Sequence, residues 1–159
     1  MREILFRSKD IHTENWVYGF YFYSCEPDDN GLPENYYKET FTKLYYIMDK
    51  NGNSHLVYPY SFGQYTGIKD KFGNKIFEGD ILDIHKTVNG CNLFVVIWDE
   101  IGFSVKYYCN MNKPRVYEYD LRELFDLDIN ESKFKYEKEI EIVGNIHDNP
   151  DLLKEVNNE

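Results

Sequence analysis

Four histidines, three cysteines and 28 carboxylates are the side chains of this sequence that could do chemistry. A zinc centre needs ligands at short, characteristic spacings. His12, His55, His85 and His147 form no H-x-x-x-H or H-E-x-x-H and pair with no cysteine at such a spacing. They read as surface or boundary residues, with His85 beside Asp83 the one local cluster to watch. Nucleophilic catalysis needs a nucleophile, a base and an orienting group that meet in space. Cys25, Cys91 and Cys109 have no context of that kind, and Ser61 and Ser104 lack a G-x-S-x-G elbow. A carboxylate pair is uninformative where acids are so abundant. Gly63, Gly67, Gly73 and Gly79 match neither G-x-x-x-x-G-K-[ST] nor G-x-G-x-x-G, so they are spaced for turns and not for phosphate. Asp28-Asp29-Asn30-Gly31 and the stretch from Asp70 to Asp80 lack the alternating ligands and closing Glu of a calcium loop. The expectation is a protein that is not an enzyme, with no catalytic residue, no metal and no cofactor.

The elements that would position these residues are mostly strands. At 159 residues the chain makes one ordinary domain or two very small ones, and can bury a core without disulfides or metal. Aromatics are 18% of it, 15 Tyr, 11 Phe and 2 Trp, a composition that suits pleated, half-buried surfaces. Mean hydropathy of -0.62 and no long apolar run exclude a membrane-spanning helix, and the charged start MREILFRSKD is no signal peptide. Three widely spaced cysteines read as reduced thiols, which places the chain in the cytoplasm. The net charge of -10 repels phosphate backbones, so nucleic acid is disfavoured though not excluded as a partner.

Along the chain, residues 2 to 7 read as a short strand and Lys9 to Asn15 as a turn. Trp16 to Tyr23 is a long aromatic strand with Trp16, Tyr18, Phe20 and Phe22 on one face, expected to be buried in a core or an interface; a platform for bases or sugars is the other reading of an exposed stripe. Glu26 to Asn35 is a loop. A strand over 41 to 48, a turn at Asp49-Lys50-Asn51-Gly52 and a return over His55 to Tyr58 make a hairpin. A strand begins at Asp80-Ile81, followed by the apolar strand Leu93 to Trp98 and the alternating strand Phe103 to Tyr108. Asp120 and Glu123 have capping-box spacing for a short helix. Glu139 to Ile146 is the closing strand, and Asn149 with Pro150 opens a final helix. No repeat and no low-complexity tract is expected. The fold class is mostly β with minor α. An N-terminal β-rich subdomain (1–62) precedes a small barrel (63–150) of the SH3-like kind and a short C-terminal helix and tail (151–159).

The stretch from Gln64 to Ile81, QYTGIKDKFGNKIFEGDI, resembles the YopX family of phage and prophage proteins, whose pattern is Q-Y-T-G-L-x-D-x-x-G-x-x-I-[YF]-E-G-D-I. Met1 to Arg7 and Trp16-Val17-Tyr18-Gly19 look like the family's opening, and Glu141 to Pro150 looks like its ending. Departures at Ile68, Phe72, Phe77 and the insert Asn130 to Lys138 are conservative or fall in a loop. The resemblance implies a phage or prophage origin and an SH3-like barrel in the second half, and brings no catalytic residue with it. The residues it singles out, as structural positions, are Gln64, Tyr65, Thr66, Gly67, Asp70, Gly73, Glu78, Gly79, Asp80, Gly144 and Asn145.

The functional expectation is a phage or prophage accessory protein, a non-enzymatic module that binds another protein of phage or host. The alternatives are nucleic-acid binding through the barrel, with Lys69, Lys71, Lys75, Lys86, Lys113 or Arg115 as the cations, or an acidic mimic of nucleic acid. The aromatic run from Trp16 to Tyr23 also suggests a homo-oligomer.

Overall fold

In a computed structural model, residues 3–26, 42–88, 91–100, 102–108, 116–121 and 140–155 are described. They form eleven strands, one 3-10 turn and one helical turn. The chain divides into two compact units, Met1–Gln64 and Tyr65–Glu159.

In the first unit β1 (Phe6–Lys9), β2 (Trp16–Glu26), β3 (Thr42–Met48) and β4 (Ser54–Leu56) make an antiparallel sheet in the order β4-β3-β2-β1. The free edge of β1 takes the first residues of β5 (Gly63–Lys69), with Phe6 opposite Gln64 and Arg7 opposite Gly63. The β3–β4 hairpin turns where Asp49 to Gly52 predicts it. Asp49 Oδ1 accepts the amides of Asn51 (2.8 Å) and Asn53 (2.9 Å), and Gly52 takes a φ of 86°, a left-handed value that glycine adopts without penalty. One face of this sheet is covered. Ile47 and Val57 are fully buried, and Phe62 meets the Tyr21 ring edge-on with centroids 4.7 Å apart. Aromatic pairs in that geometry add about 0.5–1.5 kcal/mol beyond the area they bury. The buried hydroxyls of Ser8 and Ser61 lie 2.7 Å from each other and 2.7 and 3.0 Å from the Tyr58 carbonyl, so one donates to the other and the second to that carbonyl, and the polar pair is satisfied.

In the second unit β5 continues and pairs with β6 (Lys75–Phe77). β7 (Asp80–Val88), β8 (Cys91–Trp98), β9 (Phe103–Tyr108), β10 (Val116–Asp120) and β11 (Glu141–Asn145) form a five-stranded antiparallel sheet in the order β10-β9-β8-β7-β11. Its core is Ile76, Leu82, Phe94, Val96, Val105, Leu121 and Ile140, with Ile68, Phe103 and Ile142 packed against it. Phe94, Val95 and Val96 are all buried, so β8 is covered on both faces, as its unbroken apolar run suggests. α1 (Leu152–Glu155) is a single helical turn.

Three expectations change. The sheet of the second unit is open among the described residues, where a closed barrel was expected. β10 and β11 are its two edges, and closure needs a hydrogen-bonded ladder between them. Residues 116–120 form a strand for which no expectation stood, and Asp120 ends it; the next residue, Leu121, is helical, in line with a helix start at the Asp120 capping box, and the rest of that stretch lies outside the described residues. The first strand starts at Phe6, displaced toward the residues that pair with β2 and β5. Asn149 does not cap a helix with its side chain: its Oδ1 accepts the Asn145 amide at 3.2 Å, and the helical turn begins at Leu152.

Candidate interaction surface

The residues of the Gln64–Ile81 stretch form a latch. Thr66 Oγ1 donates to the Ile76 carbonyl at 2.9 Å and accepts the Ile68 amide at 3.1 Å, and Tyr65 stacks obliquely on Phe77 at 5.6 Å. Gln64 is half-buried on β5, and Gly67 makes the β5 irregularity with a φ of 90°. Asp70 closes the next turn. Its Oδ1 accepts the amides of Phe72 (2.9 Å) and Asn74 (2.8 Å), its Oδ2 accepts the Asn74 side chain (3.0 Å), and Gly73 sits at a φ of 86°. Glu78 and Gly79 make the turn into β7, and buried Asp80 accepts the Phe77 amide at 2.7 Å.

This latch holds the far end of the chain. Asp70 Oδ2 accepts the Ile142 amide at 3.4 Å, Lys71 donates its amide to the Ile140 carbonyl at 2.9 Å, and the Lys71 ammonium pairs with Glu141. The Gly79 carbonyl accepts the Ile146 amide at 2.9 Å, and Asp80 lies opposite Asn145. Gly144 sits at the β11 bulge, where a Cβ would lie 2.6 Å from Asn149 Oδ1. The Asn145 side chain closes its own turn, accepting the amides of His147 and Asp148 at 2.9 Å each. Two segments far apart in sequence are thus one folding device, within which the carboxylates of Asp70 and Asp80 accept backbone amides.

His55 has the most catalytic-looking surroundings. Nδ1 is 3.4 Å from Asp10 Oδ2 and Nε2 is 3.3 Å from Asp49 Oδ2. Both carboxylates are committed to turns, however. Burial pushes the Asp10 carboxyl up, and this is outweighed by the amides of Thr13 and His12, which with Thr13 Oγ1 and His55 hold it below the ordinary carboxylate range. Asp49 is held low by the side chain and amide of Asn53, with His55 and the Asn51 amide adding to them. The histidine ties two turns together, and no nucleophile adjoins it among the described contacts. No group of three or more His, Cys, Asp or Glu side chains placed to hold a metal occurs among the described residues. The His85 side chain lies outside the described residues.

The other face of the first sheet is a different surface. Trp16, Tyr18, Phe20 and Phe22 alternate along β2, and the cross-strand partners are Lys9, Arg7, Met48 and Tyr46 in turn. Phe20 is 66% exposed, Tyr18 46%, Met48 38% and Phe22 36%, so of the two expected forms of burial, core or interface, the stripe is not in the core of its own chain. Phe22 lies stacked on Tyr46, with centroids 5.1 Å apart and ring planes 11° from parallel. Trp16 carries the Arg7 guanidinium 4.6 Å and the Lys9 ammonium 5.6 Å from its ring centre. Aromatic residues stand on both faces of β2, so sequence alternation could not show which face is covered. Other exposed rings are scattered: Tyr23 on the opposite face of β2, Phe72, Tyr60, and Trp98, which packs edge-on against Phe103 at 4.7 Å.

These features define a mostly-β protein of two antiparallel units whose signature residues brace the fold and three of whose exposed aromatics, Tyr18, Phe20 and Phe22, share one sheet face. Among known proteins the description has a family to match. The chain belongs to the YopX protein family, whose model matches residues 5–154. It is similar to protein EF1440 from Enterococcus faecalis, known from a crystal structure, with 22% identity over 96% of this chain and 99% of that one and a TM-score of 0.47. No curated protein matches the chain. No helix among the described residues is long and apolar enough to cross a membrane.

Proposed function

We propose that this protein is a non-enzymatic binding module, an accessory protein of a phage or prophage working in the host cytoplasm, and that the Trp16–Phe22 face is where it engages its partner. The observation that supports this is the exposure of Tyr18, Phe20, Phe22 and Met48 together on one sheet face. A contiguous apolar patch is costly to leave in water, and aromatic and Met side chains are the types that dominate binding interfaces. The resemblance to the YopX family, which implies a phage or prophage origin, is what suggests the biological setting. The turn-bound state of Asp10, Asp49 and Asp70 supports a binding rather than a catalytic role, since acids tied to backbone amides are poor proton carriers.

The test is crosslinking of the tagged full-length chain in lysogenic cells, comparing the wild type with a Tyr18→Ser/Phe20→Ser variant and with Phe72→Ser as a surface control. The expected result is a crosslinked macromolecule that the double variant loses and Phe72→Ser keeps. Recovery of the same crosslinked set by all three would remove this face from the mechanism.

A further inference from the structure

We infer that the Asp49–Asn53 turn is a clasp for an extended segment of a partner protein, one with an acidic residue between two apolar ones. This goes beyond the aromatic face and rests on what the molecule does with its other copy of the same turn.

In the second unit the Asp70–Asn74 turn grips one edge of an extended segment at three points. The Lys71 amide donates to the Ile140 carbonyl at 2.9 Å, Asp70 Oδ2 accepts the Ile142 amide at 3.4 Å, and the Lys71 ammonium pairs with Glu141 between them. In a strand, the carbonyl of one residue and the amide two residues on lie along the same edge. Any extended segment therefore offers the two backbone groups, and an acid between them adds the ion pair.

The Asp49–Asn53 turn carries each of the gripping groups in the same frame. D-K-N-G-N matches D-K-F-G-N at the aspartate, the lysine, the glycine and the closing asparagine. Asp49 Oδ1 accepts the amides of Asn51 and Asn53 and Oδ2 the Asn53 side chain, as Asp70 does with Phe72 and Asn74. The Lys50 amide thus stands for that of Lys71, Asp49 Oδ2 for Asp70 Oδ2, and the Lys50 ammonium for that of Lys71. Residues 50 to 53 are all exposed, and no hydrogen bond or ion pair engages Lys50 among the described residues. Backbone groups turned to water in this way are the ones that strand addition uses. The chain's charge of -10 plays no part in choosing this occupant; the two backbone bonds choose it.

One position differs, and it acts as a placeholder. Six residues beyond the aspartate stands fully buried Ile76 in the second turn and His55 in the first. His55 Nε2 lies 3.3 Å from Asp49 Oδ2, the oxygen whose counterpart takes the Ile142 amide, while Nδ1 lies 3.4 Å from Asp10 Oδ2. A partner's amide takes the place of Nε2 at Asp49, and the imidazole keeps Asp10.

The experiment is amide-resolved NMR of the full chain titrated with the capped peptide IEIVGN, the sequence of Ile140–Asn145. We expect saturable shifts of the Lys50 amide and the His55 ring. Binding should weaken by about two- to tenfold when the peptide's second isoleucine is N-methylated, and likewise in Lys50→Pro, which removes the donor. Position 50 is the second of a four-residue turn closed by the Gly52 amide on the Asp49 carbonyl, where proline is favoured, so the Lys50→Pro melt should match the wild type. Lys50→Ala keeps the amide and should lose only the preference for this peptide over its Glu141→Gln form. Tyr18→Ser/Phe20→Ser should bind as the wild type does. No movement at Lys50, movement at Lys71 in its stead, or equal binding by Lys50→Pro would overturn the inference. So would light scattering that shows a dimer made monomeric by Lys50→Pro, which would assign the turn to a second copy. Peptide binding lost in Tyr18→Ser/Phe20→Ser would move the contact to the aromatic face, overturning this inference and leaving the proposed function standing.

Discussion

Asp49 and Asp70 close the same turn. In each, Oδ1 accepts the amides two and four residues on, Oδ2 accepts the side chain of the Asn four residues on, and the Gly three residues on sits at a φ of 86°. The sequences are D-K-N-G-N and D-K-F-G-N, a repeat that the chain does contain although none was expected. The two differ in reach. Asp70 is buried and also holds the Ile142 amide, whereas Asp49 meets His55 at the surface. Asp70→Ala should therefore cost about 2–4 kcal/mol in urea unfolding, and Asp49→Ala distinctly less. The opposite order would show that Asp70 does not secure β11.

Acid should loosen the fold through these same carboxylates. Burial pushes Asp70 up, but the Asn74 side chain and the amides of Asn74, Phe72 and Ile142 outweigh it and hold the group below the ordinary range, as hydrogen bonds also hold Asp10. Folded values below unfolded ones mean that the unfolded chain binds more protons. The stabilisation is present above about pH 4 and is lost as pH falls below it, through the folded values. Urea midpoints should hold from pH 6 to about pH 5 and fall steeply below about pH 4. In the Asp10→Asn/Asp70→Asn variant the fall should be shallower, and an unchanged slope would locate the acid sensitivity in other groups.

Gly19 abuts β3 so closely that a Cβ there would lie 1.8 Å from the Met48 carbonyl oxygen and 3.0 Å from Ile47 Cγ2. The obstacle is backbone, which no rotamer change relieves. Gly19→Ala should cost more than about 3 kcal/mol, among the largest single-residue effects. Gly52→Ala, with a φ of 86° but no atom within 4 Å of the new methyl, should cost only about 1–2 kcal/mol. Equal midpoints for the two variants in chemical denaturation would contradict the close approach.

Gly144 is crowded by a side chain instead. Its Cβ position lies 2.6 Å from Asn149 Oδ1, which accepts the Asn145 amide. A double-mutant cycle should find Gly144→Ala less damaging on an Asn149→Ala background, with a coupling of about 1 kcal/mol. Additive effects would mean that the strand moves and the asparagine does not.

By itself, the sequence determined what local chemistry determines. The turn at Asp49–Gly52 follows from an acid and a glycine a few residues apart, and β8 follows from an unbroken apolar run. The Gln64–Ile81 and Glu141–Pro150 stretches identified the family before any coordinate did. Tertiary structure decided everything that depends on residues far apart in the chain. The clasp of Asp70 on Ile142 spans 72 positions, and the close approach of Gly19 to Met48 exists only once β2 and β3 are paired. The openness of the aromatic stripe was undecidable from β2 alone, because rings alternate with rings and the period of two carries no polar contrast. Only the packing of Phe6, Tyr45 and Phe62 around Tyr21 chose which side to cover, and so left Tyr18, Phe20 and Phe22 facing water.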